Sequence, residues 1–250
     1  MVTSKDSLWH LESGLMQADV SPLGGTIARF SIDKKEIFFP QVKVGEKDRG
    51  GCPMCAPWFG SSPRGKKKHG YLRDMTLKQE IRTPDEIQLG TGYYGSDTNY
   101  PWWIQYLTKV VLRNDSFFCE LNMFRGDDSF LEPAPILPAF HPYFACDDAS
   151  KVTLEIEGKI LSDIAAVPSK IPLYSDRVII GMPDRKITMI LGGAFTPLLS
   201  HLALWTDNPS RYICVEPILY NPKHFDTPDG CSLKHNEDIE IRMQLEVAFH

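Results

Sequence analysis

The chain has 250 residues, 42% hydrophobic and 24% charged, with a formal net charge of −5. That is the balance of a soluble globular fold with room for a sizeable core, and the negative balance gives no electrostatic basis for binding nucleic acid. No apolar run approaches the roughly 18 residues needed to span a bilayer, and the amino-terminal MVTSKDSLWHLESGL lacks a signal peptide's apolar centre, so a cytoplasmic protein without a membrane partner is expected.

In chain order, the first strand–turn–strand pattern flanks Ser21-Pro22-Leu23-Gly24-Gly25 and the next flanks Thr83-Pro84-Asp85-Glu86. Two apolar runs, Ile104 to Leu112 and Phe117 to Phe124, read as a long hairpin around Arg113-Asn114-Asp115-Ser116. Val152 to Ile156 adds a strand, and Met182-Pro183-Asp184-Arg185 marks another turn between strands. At the carboxyl end Ile239, Ile241, Met243, Leu245 and Val247 alternate with polar residues, a strand with one buried and one wet face. No segment of comparable length carries a helical stripe. Many short strands between turn signals predict an all-β chain, a large antiparallel β-sandwich, forming one domain over residues 1–250. The least strand-like stretches, Gly45 to Asp74 and Gly126 to Ala139, are long loops of the kind that carry function.

The six cysteines are too sparse for a disulfide framework and read as thiols in a reducing compartment. Cys52 and Cys55 form a CxxC, but no second pair with ligand spacing follows, so no metal site is expected there. The basic run Arg64 to His69 reads as a solvated loop.

Two segments carry candidate chemistry. His141 follows Pro133, Pro135 and Pro138 and precedes Pro142-Tyr143-Phe144, so its backbone is restrained and its imidazole presented in one orientation, as a general acid requires. A core histidine satisfied by the backbone is the alternative. Glu216 ends the apolar run Tyr212-Ile213-Cys214-Val215 before Pro217. A carboxylate there is partly desolvated, which raises its pKa and suits a base; an outward glutamate at a strand end is the alternative. The loop Gly50 to Gly60 sets Trp58 and Phe59 among glycines and prolines, suited to the C–H face of a sugar ring or to packing. Its spacing fits no phosphate loop, and no nucleophile elbow occurs. His69 and Arg73 share one short segment, in which Arg73 is a fork of donors or half of an ion pair with Asp74. Asp176-Arg177 opens a strand as a ligand-binding acid or a simple entry pair.

Taken together, Arg49 to Gly60, His69 to Arg73, His141 to Phe144, Asp176-Arg177 and Val215-Glu216 resemble, in order, the motifs of the aldose 1-epimerase (galactose mutarotase-like) superfamily, closest to its hexose-6-phosphate 1-epimerase branch. The resemblance covers roughly residues 16 to 247. It implies a β-sandwich with an open sugar cleft, no cofactor, and His141 and Glu216 as the catalytic pair flanking a sugar's C1–O5 edge. His69, Arg73 and Asp176 would grip hydroxyls, and Arg49 with Arg73 would meet a phosphate. The chain departs from the branch at Cys52 and Cys55 and at Asp74, an acid expected to draw charge from Arg73. The implied partner is a small sugar or sugar phosphate, and the implied state a monomer or weak homodimer. A carbohydrate-binding protein without turnover, or another isomerase or lyase on the same scaffold, are the competing readings.

Overall fold

The computed structural model describes residues 8–61, 67–93, 100–113, 115–126, 130–164, 169–192 and 200–250. Asn114 of the predicted turn, Arg64 to Lys66 of the basic run, and parts of both long loops lie outside them.

Two large sheets form the body of the described chain, beside two two-stranded ribbons, Val42–Val44 with Lys47–Arg49 and Ala134–Pro135 with Ser232–Leu233. The first has ten strands, in the order Trp9–Ser13, Met16–Val20, Ile27–Ile32, Lys35–Phe38, Tyr143–Ala145, Tyr212–Ile218, Ala139–Phe140 and Met54–Cys55. His201–Trp205 joins the other edge of Tyr212–Ile218, and Ser169–Pro172 joins His201–Trp205. The second has nine, running Lys159–Leu161, Thr153–Ile156, Arg177–Gly181, Arg185–Gly192, Asp238–Phe249, Ser116–Arg125, Ile104–Arg113, Glu86–Tyr93 and Lys78–Arg82. Every strand pairing in both is antiparallel, so the predicted sandwich is the one observed. Helical structure among the described residues is confined to the three short turns Leu72–Asp74, Ala149–Lys151 and Pro222–His224.

Alternation determines which faces meet. In Ile104–Arg113 the residues Ile104, Tyr106, Thr108 and Val110 are buried, while Gln105 and Leu107 are exposed. The predicted carboxyl strand extends over Asp238–Phe249, one residue earlier and two later than its clearest alternation. Phe30 and Phe38 of the first sheet meet Phe117 of the second at ring separations of 4.5 and 5.5 Å. Phe144 meets Phe38 edge-on at 5.6 Å. All four rings are fully buried, and edge-on contacts of this kind add to the area they remove from water.

Tyr212–Ile218 runs inside the first sheet and every one of its residues is buried. Here the structure corrects the sequence reading, in which Glu216 ended the strand just before Pro217. Pairing with His201–Trp205 carries through Pro217, which stands opposite Leu202, so Glu216 lies within the strand and not at its exposed end. The odd positions Ile213 and Val215 join the main core. The even positions Tyr212 and Cys214 form a second apolar cluster with Phe39 and Tyr143 on the sheet's other face.

Replacing Phe117 by alanine removes the ring that bridges the sheets. The expected cost is about 3–5 kcal/mol, read as a lower urea midpoint; a change below about 1 kcal/mol would show that Phe30 and Phe38 close the gap.

Candidate active site

Strand register builds the site. Ala139 pairs with Ile218 and Tyr143 with Cys214, which sets His141 opposite Glu216 where Pro142 interrupts the ladder. Across the same strand Glu216 pairs with Ala203, and Ala203 with Lys170. One cross-strand row therefore reads His141, Glu216, Ala203, Lys170. The next reads Tyr143, Cys214, Trp205. Side chains along such a row share one face, and the small Ala203 leaves space beside Glu216.

His141 Nε2 lies 3.6 Å from Glu216 Oε1, and the two residues are only 8% and 2% exposed. The imidazole stacks on Tyr143 with rings 4.8 Å apart and nearly parallel, and meets Trp205 edge-on at 6.2 Å. Its backbone N–H donates to Pro53 O at 2.9 Å, tying it to the Gly/Pro/aromatic loop. Gly51 fixes that loop: its φ is +69°, and a Cβ there would strike the Ile27 carbonyl oxygen.

His69 enters from the following segment, its ring 5.3 Å from that of His141 and 5.1 Å from Phe59. It adopts φ +67°, uncommon for a side chain with a Cβ, and is held by its N–H to Gly60 O at 2.7 Å. Gly60 N–H donates back to His69 Nδ1 at 3.1 Å. Nδ1 is thus an acceptor, and the neutral ring carries its proton on Nε2.

Burial dominates the electrostatics. It pushes the Glu216 carboxyl up to about 8, against the pull of Lys68 and Lys170. It also holds His141 well below its usual range, with His69 adding to the effect. His69 falls to about 3, through burial and then the charges of Lys68 and Arg73. Near neutral pH the His141–Glu216 couple therefore rests as imidazole and carboxylic acid, one proton between two groups, as a couple that moves protons requires.

The predicted residues fall into three groups. His141, Glu216 and His69 converge on one point. Arg73, half-buried on the turn Leu72–Asp74, acts on both histidines through its charge. Arg49 lies over the Trp205 ring at 5.2 Å but is gripped by Asp207 Oδ2, from Nε at 2.9 Å and Nη2 at 2.8 Å; Tyr212 Oη donates to the other Asp207 oxygen. Asp176 is exposed at the entry to Arg177–Gly181, its carbonyl accepting from Leu191 N–H in the second sheet. Among the described contacts its carboxylate meets none of the other candidates. Asp74, expected to draw charge from Arg73, is paired with Lys67 at 3.0 Å. Beyond the Arg49–Asp207 pair lies an open groove of about 500 Å³ lined by Phe39, Val42, Arg49, Asp207, Arg211 and Tyr212.

Two residues were missed, one at the rim and one at the centre. Lys170 carries no local signal, since only its register opposite Ala203 brings it over Glu216. Cys214 is two residues before Glu216 on a strand, so it shares that residue's face, and this spacing was available in the sequence. A ring nitrogen of His141, the Cys214 sulfur and a Glu216 oxygen all lie within 4.8 Å of one another, a set able to hold a metal ion. Cys52 and Cys55 are buried free thiols.

An antiparallel sandwich with a buried histidine–carboxylate couple on one sheet face defines the class to which the comparisons also point. Residues 7–172 match the family model for aldose 1-epimerase, and the chain belongs to that family. A protein of Escherichia coli (strain K12) named "Putative glucose-6-phosphate 1-epimerase" is 29% identical over 115 residues, 45% of this chain and 37% of that protein. Its namesake in Salmonella typhimurium is 26% identical over 113 residues, again 37% of its length. The matched part thus spans little more than a third of these curated relatives. Among solved structures, the Slr1438 protein of Synechocystis sp. PCC 6803 superposes with a TM-score of 0.80 at 18% identity, covering 100% of this chain and 99% of that one. A galactose mutarotase related enzyme of Lactobacillus acidophilus gives 0.77 at 13%, covering 98% and 97%. At such identities these two share the fold.

The raised Glu216 pKa fixes the sign of a stability effect. A proton held more tightly in the folded chain stabilises it fully below about 4.5, and this contribution fades as pH rises through about 8. His141 and His69, both lowered, act oppositely and cost stability as pH falls below their ordinary 6.5. Glu216→Gln removes only the first effect. Its stability relative to the parent is expected to rise by on the order of 2–4 kcal/mol between pH 5 and pH 9 in denaturant melts; a flat difference would show that Glu216 ionises normally.

Proposed function

We propose that this protein is an aldose 1-epimerase, interconverting the α and β anomers of an aldose or hexose 6-phosphate, with His141 and Glu216 as its acid–base couple. The observation that carries the reading is their 3.6 Å approach on one buried sheet face. The gap is too small for a sugar edge to slot between them. The ring oxygen and the anomeric hydroxyl oxygen share one carbon, however, so a hemiacetal offers one to each side chain from the side.

In the reactive tautomer, reached by shifting the couple's proton from Glu216 to His141, Glu216 removes the proton of the anomeric hydroxyl. His141 protonates the ring oxygen as the C1–O5 bond breaks. The open aldehyde turns about C1–C2, and closure on its other face returns both protons to their starting groups. Lys170 favours this tautomer by stabilising the Glu216 carboxylate, whereas Lys68 stabilises that carboxylate and opposes the imidazolium at the same time. His69, an Nε2–H donor, is suited to a sugar hydroxyl, and Trp205 and Phe59 to its C–H faces. Asp176 is retained as a hydroxyl ligand on resemblance alone. For a phosphate, the charges of Lys68, Arg73 and Lys170 about the couple supplement Arg49, whose own charge Asp207 offsets.

The test is anomer exchange by NMR on glucose, galactose and their 6-phosphates. Glu216→Gln and His141→Ala are each expected to lower the rate by about 10²–10⁴-fold with folding intact, and the parent rate to fall above about pH 8 as the couple loses its single proton. Unchanged rates in both variants would sink the mechanism. Sugar binding without acceleration over buffer would make the protein a carbohydrate binder. If phosphate is recognised, Lys170→Ala raises KM for the 6-phosphate while leaving KM for glucose nearly unchanged.

A further inference from the structure

We propose that His141, Cys214 and Glu216 form a binding site for a thiophilic divalent cation of the Zn²⁺ type, which occupies the acid–base centre and blocks it. The site stands on ligand geometry; only the blocking rests on the epimerase reading.

Three observations carry it. The candidate ligand atoms, one nitrogen, one sulfur and one oxygen, lie within 4.8 Å of one another, two on the buried strand Tyr212–Ile218 and one at the break beside it. Zn²⁺ bonds of about 2.0–2.3 Å in a tetrahedron put ligand atoms roughly 3.5 Å apart. The His141–Glu216 separation of 3.6 Å already meets that value, so the needed adjustment falls on the thiol. Finally, His141 is more than nine-tenths buried and its Nδ1 has no hydrogen-bond partner, while Nε2 stands beyond hydrogen-bond reach of Glu216. The ring is therefore oriented by packing on Tyr143 and retains capacity to ligate.

The donor set selects the ion. Thiolate, imidazole and carboxylate together suit Zn²⁺ and its neighbours, and the single carboxylate cannot satisfy the oxygen shells of Mg²⁺ or Ca²⁺. On binding, the thiol and the couple each release one proton to solvent. Thiolate and carboxylate then balance the dication, and imidazole is the neutral third ligand. Burial, and then the charges of Glu216 and Asp207, keep the Cys214 thiol protonated against the weaker pull of Arg49, so its proton leaves only as the cation binds. A bound cation holds the Glu216 oxygen and a His141 nitrogen that the proton shuttle uses.

The experiment uses the metal-free full chain with Co²⁺ as a spectroscopic stand-in. One equivalent should give the intense visible bands of a tetrahedral site and a near-ultraviolet sulfur-to-cobalt band, displaced by Zn²⁺ and untouched by Mg²⁺. Cys214→Ser should abolish the sulfur band and weaken binding about tenfold or more, whereas the double change Cys146→Ser and Cys231→Ser, which removes the two partly exposed thiols, should leave both unaltered. Glu216→Gln should weaken binding yet keep the sulfur band, an arm that remains decisive if Cys214→Ser misfolds. A sulfur band that survives Cys214→Ser, or no binding by the parent at equimolar cobalt, overturns the site. Zn²⁺ should also suppress anomer exchange reversibly with a chelator. Binding is scored without turnover, so a protein that takes cobalt here and interconverts no anomers counts for the metal site and against the epimerase reading.

Discussion

The strand Tyr212–Ile218 is the constraint on which the rest depends. It places a carboxyl group inside a sheet, flanked on both edges and buried at every position. An isolated carboxylate there would cost far more than the fold's margin of stability. The chain meets the difficulty by keeping the group protonated and by setting an imidazole directly across the register. Pro142 serves the same end. It interrupts the ladder where a continuous strand would leave His141 as one more paired residue, and His141's own N–H turns instead to Pro53. Burial thus produces the poised proton, and the interruption gives the ring an orientation of its own.

Around that row the aromatic residues and the cations divide the work. Tyr143 meets Trp205 and Tyr212 edge to face at 6.1 and 5.0 Å, and those two rings lie tilted to each other at 6.3 Å, a wall over the couple. The Arg49–Asp207–Tyr212 chain fastens the wall to the hairpin Val42–Val44 and Lys47–Arg49. Arg49 consequently has a positional role before any ligand is present, and its charge is largely spoken for. Lys68 and Lys170 stay exposed at the rim, where their charges reach Glu216 and restrain how far burial raises its pKa. The balance matters, because a carboxyl that never ionised would be as inert as one that never held a proton.

Local pattern made the architecture legible. The alternation at Ile239 to Val247 and the hairpin from Ile104 to Phe124 needed only period two and a turn, and both appear where the spacing set them. His141 and Glu216 were legible as unusual residues among apolar neighbours, and as a pair only through the family resemblance, since nothing local reports that residues 75 apart stand in register. The same reason hid Lys170, which reaches the site through two strand pairings. Glu216 was assigned a strand end because Pro217 signals termination; the structure accommodates the proline opposite Leu202, and that is what buries the carboxyl. Asp74 was read against its chain neighbour Arg73, whereas on the short turn it pairs instead with Lys67.

Cys214 ties these threads together. On an outward-facing strand position a thiol two residues from a glutamate would be incidental. Here the alternation that delivers Glu216 to His141 must deliver Cys214 to the same face, and Tyr143 and Trp205, its partners in the neighbouring row, cover it. Any residue at 214 is forced into contact with the His141–Glu216 couple. A thiol fills that position as a small apolar group would, keeping the couple dry and its pKa values displaced. It also brings a soft donor beside the histidine and the carboxyl, which completes the three-ligand set. The dryness that suits proton transfer and the affinity for a thiophilic cation are therefore two consequences of one register. Exchanging sulfur for oxygen at this position is the change that separates them.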